Sequence, residues 1–209
     1  VHAVVPAQAD GIVVRPLAAL DLTRSLGEVR FTGVETALDT ILSTEPASPE
    51  GAIRARAASV AAVLQCAEAV GAAEHLFEAT VDYLRTRVQF GRTIGSFQAI
   101  KHRLADLKVL LEAMRVATHY AALAVAEGFE DAPDAVATAG SFVGDGFAQL
   151  CGEALQLHGG IGFTWEHDVH LFLRRAKTAQ ALHGDPTWHR ERLCSLTEGA
   201  ASRASGEDA

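Results

Sequence analysis

Five histidines crowd one stretch of this chain: His158, His167, His170, His183 and His189, with Glu166, Asp168 and Asp185 among them. Imidazoles and carboxylates at that density invite a metal-site reading. A carboxylate-bridged metal pair in a helical bundle needs Glu-x-x-His on two helices, because that spacing projects both ligands from one face a turn apart. No glutamate here is followed by a histidine three residues on. His167 and His170 fall at i and i+3 and can pair, but two ligands do not complete a site. No metal is expected, and the histidines read as solvated or hydrogen-bonded side chains.

Two glycine-bearing segments carry more. The first is Arg87-Val88-Gln89-Phe90-Gly91-Arg92-Thr93-Ile94-Gly95-Ser96-Phe97-Gln98. It gathers a guanidinium, an aromatic ring, free backbone amides and a carboxamide where one helix ends and the next begins. Amide donors and the helix dipole favour a phosphate at such a corner, and arginine offers a permanent donor fork to a diphosphate. The second is Gln156-Leu157-His158-Gly159-Gly160-Ile161-Gly162-Phe163, a turn on which a ligand can approach the backbone closely. It follows a helix, so it is not the dinucleotide fingerprint, which follows a strand. Either segment alone reads as a helix C-cap turn. Together they point to a ligand.

The elements that must hold these corners follow from hydrophobic spacing. From Ala52 to about Arg87 there is no proline, and Val60, Val63, Leu64, Ala67, Val70, Ala73, Phe77, Val81 and Leu84 keep a helical period. A second helix is expected from Ser96, its N-cap, to about Gly128, with Phe97, Ile100, Leu104, Leu107, Leu111 and Met114 on one stripe. A third runs from Pro133 to the stop at Gly159-Gly160, a fourth over His167–Leu182, and a shorter fifth follows Pro186. The first ~45 residues instead hold three short alternating runs, His2–Pro6, Gly11–Leu17 and Gly27–Gly33. Val29 and Phe31 alternate with polar neighbours as in a half-buried strand. The expected fold is mainly α: an antiparallel four-helix bundle preceded by a few strands of a β domain. Residues 1–47 would be this β segment, closed by the linker Ser43–Gly51. Residues 48–197 would be the bundle, and 198–209 a disordered tail.

Composition narrows the function. Lys and Arg total 18 against 26 Asp and Glu, a net charge of −8, which argues against a nucleic-acid partner. No uninterrupted apolar run approaches the ~20 residues that span a bilayer, so no membrane span is expected. Cys66, Cys151 and Cys194 are far apart and form no CxxC; they read as buried thiols in a reducing, cytoplasmic setting. The chain opens at Val1 and its only methionine is Met114, so a fragment or a naturally short subunit is expected.

Residues 87–107, RVQFGRTIGSFQAIKHRLADL, and 156–177, QLHGGIGFTWEHDVHLFLRRAK, resemble the two most recognisable segments of acyl-CoA dehydrogenases. The opening VVPAQADGIVVRPLAALDLTRSLGEVRFTGV resembles the end of that family's middle β domain, so the resemblance covers nearly the whole chain in the family's order. It implies a flavoprotein that removes the α-proton of an acyl-CoA thioester and passes the β-hydride to FAD. It further implies a homo- or hetero-oligomer, a dimer of dimers, in which this bundle holds the nucleotide half of a neighbouring subunit's FAD. An electron-acceptor flavoprotein would take the electrons on. By matching residues, Arg87 would contact the pyrophosphate, Phe90 would pack at the cofactor and Gln98 would support the adenosine diphosphate part. Gln156, Gly159 and Gly160 would form the adenine and ribose side, and Gln89 and Phe97 belong to the same corner as Arg87.

One departure stands against this match. Many members carry a Glu-Gly-Thr base just after the fourth helix, and here His183-Gly184-Asp185 occupies that place. Others carry the Glu early in the first long helix, where this chain has Ala61; the nearest carboxylates, Glu68 and Asp185, are off register. Three readings stay open. His183 is the base, an imidazole suited to proton transfer near neutrality; Asp185 reaches in; or the base comes from a paralogous partner subunit of a heteromeric enzyme. A rival class is a cofactor-free helical interaction subunit. The small residues Ala57, Ala58, Ala61 and Ala62 either leave room for a bulky acyl group or let the helix pack closely.

Overall fold

A computed structural model describes residues 2–37, 41–43 and 49–206, with side chains for 3–37 and 52–199. Two compact units divide between Ala58 and Ser59, inside the first helix and past the boundary expected near residue 47. In the first unit, β1 (His2–Ala3) pairs antiparallel with β4 (Ile41–Ser43), a strand the sequence reading lacked. β2 (Ile12–Leu17) and β3 (Leu26–Phe31) form an antiparallel ladder from Ile12↔Phe31 to Leu17↔Leu26. Val29 and Phe31, expected half-buried, are exposed. A two-stranded ladder has no layer behind it to cover either face, so alternation alone does not bury a side chain. Residues 44–48 of the expected linker lie outside the described residues.

The second unit is helical. α1 (Pro49–Thr86) is followed by a tight hairpin of β5 (Val88–Gln89) and β6 (Arg92–Thr93). Then come α2 (Gln98–Glu127), α3 (Ala132–His158), α4 (Val169–Ala181) and α5 (Pro186–Gly206). α3 is the central helix, packed against α2, α4 and α5. It buries Val143, Phe147, Leu150, Cys151 and Ala154 at 1% exposure or less, together with Leu111 and Met114 of α2 and Leu76 of α1. Met114 nests against Gly146, where a Cβ would stand 2.6 Å from its sulfur. The α2 stripe follows the expected spacing. On α1, Val60 and Leu64 of the expected stripe are exposed, while Leu76, outside it, is fully buried. α2 ends where Gly128 turns left-handed, its N–H donating to the Ala124 carbonyl.

Polar pairs lock the helices laterally. Arg115 donates to Glu74 at 2.5 Å, Arg103 pairs with Glu153 at 2.5 Å, and Arg190 and Gln180 both converge on Asp145. By length and composition, two helices among the described residues are apolar enough to cross a membrane, over Ala52–Thr86 and Gln98–Glu127. Alanine supplies much of their apolarity, and charged residues interrupt both, so neither contains a long unbroken apolar run. Each buries one face in the bundle and carries paired charges, as a core helix does. α5 continues to Gly206, over most of the segment expected to be disordered. Cys66 and Cys151 are buried free thiols, pushed up by burial to about 11 and about 12, but Cys194 is exposed rather than buried.

Candidate functional site

The first corner is built by the end of α1. Thr86 is its last residue, and the Arg87 N–H still donates to the Tyr83 carbonyl at 2.9 Å. The chain then folds into the β5–β6 hairpin, with Val88 opposite Thr93 and Gln89 opposite Arg92, closed by Ile94 N–H donating to the Arg87 carbonyl at 2.9 Å. Its two-residue tip, Phe90 (φ 54°) and Gly91 (φ 77°), is left-handed at both positions, as tight hairpins require. For a phenylalanine this backbone costs about 1 kcal/mol. Phe90 is nevertheless 89% exposed, an aromatic held away from any core at a strained tip. Its ring meets Phe97 edge-on at 6.2 Å, and the Arg92 guanidinium lies over Phe97 at 3.9 Å. Arg87, Gln89 and Gln98 are exposed, and Phe97 is half-buried. Ser96 does not cap α2: its hydroxyl donates to the Thr93 carbonyl at 2.6 Å, and Phe97 takes the N-cap position with extended backbone.

The second corner is the end of α3. His158, 3% exposed, donates from Nδ1 to the Ala154 carbonyl at 2.8 Å, one turn back. Gly159 leaves the helix at φ 64°, a conformation that disfavours any side chain. A 3-10 turn follows over Gly159–Phe163, with Gln156 and Gly160 exposed. Tyr83 joins the two corners. Its ring stacks on His158 at 4.5 Å, and its hydroxyl donates to the His158 carbonyl at 3.2 Å. One tyrosine thus lies a turn before Arg87 and directly against the residue preceding Gly159-Gly160. The structure brings Arg87, Gln89, Phe90, Phe97 and Gln98 together at one corner and Gln156, Gly159 and Gly160 at the other. Sequence reasoning passed over Tyr83 and Arg92. Tyr83 stands four residues before Arg87, the spacing of helix neighbours, and that was the available signal.

The third element is the turn after α4. His183 (φ 55°) and Gly184 (φ 100°) are both left-handed. Only glycine fits at 184, because a Cβ there would stand 2.4 Å from the Trp188 ring. Asp185 is the N-cap of α5: its Oδ1 accepts the Trp188 N–H at 2.7 Å. His189 is buried beneath this turn against α3, where a Cβ at Gly140 would meet its Nε2 at 2.4 Å. Burial, reinforced by Arg192, holds the His189 imidazole below the ordinary histidine range, while Asp185 and the His183 backbone act the other way. Ala62, Gln65, Gly140, Gly144, His183 and His189 are among the residues lining a cavity of about 30 Å³, room for a water and not for an acyl chain. Ala62 is buried at this cavity and Ala61 is half-buried, while Ala57 and Ala58 are exposed. Glu68 is held by Arg175, whose Nε donates to it at 2.6 Å. Among the described residues no group of three His, Cys, Asp or Glu side chains is placed to hold a metal ion.

Outside these sites α2 keeps an uncovered apolar stripe, with Val109, Val116, Tyr120 and Leu123 between 46% and 71% exposed. These observations define a mainly helical bundle in which one tyrosine clasps a strained aromatic hairpin to a Gly-Gly turn. Its family follows from comparison. Residues 53–194 match the acyl-CoA dehydrogenase C-terminal domain family, and the chain belongs to it. Acyl-CoA dehydrogenase IpdE2 of Mycobacterium tuberculosis is 40% identical over 172 residues, 82% of this chain and 48% of that protein. The ChsE4-ChsE5 complex from Mycobacterium tuberculosis is 29% identical with a TM-score of 0.81, covering 94% of this chain and 51% of that one. Butyryl-CoA dehydrogenase from Megasphaera elsdenii is 25% identical with a TM-score of 0.85, covering 93% and 51%. The chain spans about half the length of the two IpdE2 relatives it matches, and less of the others.

Proposed function

We propose that this chain is the cofactor-interface part of an FAD-dependent acyl-CoA dehydrogenase subunit. It holds the nucleotide half of FAD in an oligomer whose other subunit supplies the base. The observation that carries the reading is the Tyr83 clasp, which joins the Arg87–Phe90 hairpin to the Gly159-Gly160 turn while leaving Arg87, Phe90, Gln156 and Gly160 exposed. The donor set fits a dinucleotide: Arg87 for the pyrophosphate, the Phe90 ring for packing, Gln98 for the diphosphate side, and Gln156 with open glycine backbone for adenine and ribose. Gln89 and Phe97 shape the same corner. A bound FAD supplies the hydride acceptor for α,β-dehydrogenation of an acyl-CoA.

The base is assigned to the partner because the local carboxylates are otherwise engaged and the alternative helix position holds an alanine. Asp185 caps α5, Glu68 pairs with Arg175, and Ala61 has no titratable group. His183 stands on an exposed left-handed turn, which makes it the second reading. The exposed stripe of α2 supports assembly with another subunit. A paralogous partner is supported by the heteromeric ChsE4-ChsE5 neighbour, and an electron-transferring flavoprotein as acceptor belongs to the same reading. The free thiols Cys66 and Cys151 favour a reducing, cytoplasmic setting. The test is turnover of the assembled full-length enzyme carrying His183→Ala or Asp185→Ala in this subunit. Unchanged turnover per folded enzyme is expected in both. A loss of a hundredfold or more with His183→Ala would transfer the base to this chain.

A further inference from the structure

His158 has one nitrogen committed and one bare. Nδ1–H donates to the Ala154 carbonyl at 2.8 Å, while Nε2 is buried with no hydrogen-bond partner. Two rings pack against it: Tyr83 of α1 stacks on it at 4.5 Å, and His167, before α4, meets it edge-on at 4.6 Å. His167 accepts the Val169 N–H on Nδ1 at 3.3 Å, which leaves its own proton on Nε2. The Gly162 backbone packs against the base of this side chain, where an added Cβ would stand 3.1 Å from the His158 Cβ.

We infer that His158 is a positioning residue for both corners: as a neutral imidazole it holds the Tyr83 end of α1 against the Gly159-Gly160 turn, and its protonation releases them. A second proton would go on Nε2, creating a buried, charged N–H with no acceptor beside another imidazole. The titratable groups facing the ring are Tyr83 and His167, and among the described residues no carboxylate acts on it. Burial, and to a lesser degree His167, hold its titration below the ordinary histidine range against the pull of the Ala154 carbonyl. The least costly way to accept the proton is for the ring to leave the stack and reach water. That movement carries the His158 carbonyl off the Tyr83 hydroxyl and the Gly159 turn off the Arg87 corner. The consequence for FAD rests on the function proposed above; the movement of the turn does not.

The test uses the assembled full-length enzyme, as wild type, His158→Phe and His158→Gln. Phe keeps a ring against Tyr83 with nothing to protonate, and Gln fills similar space without titrating. Two quantities are followed from pH 8 to pH 5: FAD affinity by flavin fluorescence, and amide hydrogen exchange, corrected for intrinsic pH dependence, over Gly159–Gly162. In wild type the affinity is expected to fall toward a limiting tenfold per pH unit, the slope of one linked proton, while the turn loses protection in step. Both profiles flatten in His158→Phe and His158→Gln. A wild-type turn whose protection does not change with pH, or variants that reproduce the wild-type profile, would overturn the inference. If flavin binds at no pH, the FAD reading fails while the exchange measurement still decides the role of His158.

Discussion

The Tyr83 hydroxyl donates to the His158 carbonyl at 3.2 Å while the two rings stack at 4.5 Å, so the last full turn of α1 is clasped to the last turn of α3. Removing the hydroxyl alone, in Tyr83→Phe, keeps the stack and costs about 1 kcal/mol of stability. Denaturant unfolding of the two proteins side by side checks this, with a shifted midpoint and an unchanged slope.

The close approach of α5 to α3 gives a second expectation. Gly140→Ala would drive a methyl into the His189 ring, whose Nε2 lies 2.4 Å from the Cβ position. A destabilisation of roughly 1–3 kcal/mol is expected, as for an overpacked core, and thermal unfolding measures it. Gly152→Ala, on the same helix with open space at the Cβ, should be neutral or slightly stabilising.

At the turn after α4, stability and chemistry separate. Asp185→Ala removes the N-cap of α5 and should lower stability by about 1 kcal/mol without changing turnover per folded enzyme. His183→Gly relieves a left-handed backbone and should not lower the midpoint of thermal unfolding. A stability loss confined to Asp185→Ala would separate capping from catalysis.

The buried imidazoles set an acid limit. His158 and His189 both titrate below the ordinary histidine range, His158 through burial and then His167, His189 through burial and then Arg192. The unfolded chain therefore binds more protons than the folded one as pH falls from about 6.5. Their contribution is complete above the unfolded histidine value and is lost as pH falls through their folded values. Unfolding free energies at pH 7.5 and pH 5.5 should differ in that direction, and His158→Phe should narrow the gap.

Much of this was legible in the sequence because it depends on local spacing. The α2 stripe of Leu107, Leu111 and Met114 needed only a 3–4 period, and the chain breaks at Gly91 and Gly159 needed only glycine. What was not legible depends on partners distant in sequence. Val29 and Phe31 alternate correctly yet stay exposed, because alternation specifies a face and not what covers it. Asp185 looked like a spare carboxylate until the start of α5 made it a cap, and Glu68 until Arg175, 107 residues away, paired with it. Ser96 satisfied the composition of an N-cap but bonds back to Thr93, because a 3-10 turn over Ile94–Ser96 takes that place. Tyr83 carries no signal beyond its four-residue spacing to Arg87, and its contact with His158 appears only where the ends of α1 and α3 meet.

The proposed flavin nucleotide site is made by the Arg87–Phe90 hairpin and the Gly159 turn. The most direct measurement is the bound-flavin ratio, from the visible absorbance spectrum, of the assembled full-length enzyme as wild type and as Arg87→Ala. Arg87 is exposed, so its loss should leave folding within about 0.5 kcal/mol. Flavin bound in the wild type and lost from folded Arg87→Ala is the predicted result. A wild-type assembly without a flavin band, or an Arg87→Ala enzyme that retains flavin as tightly, would contradict the account.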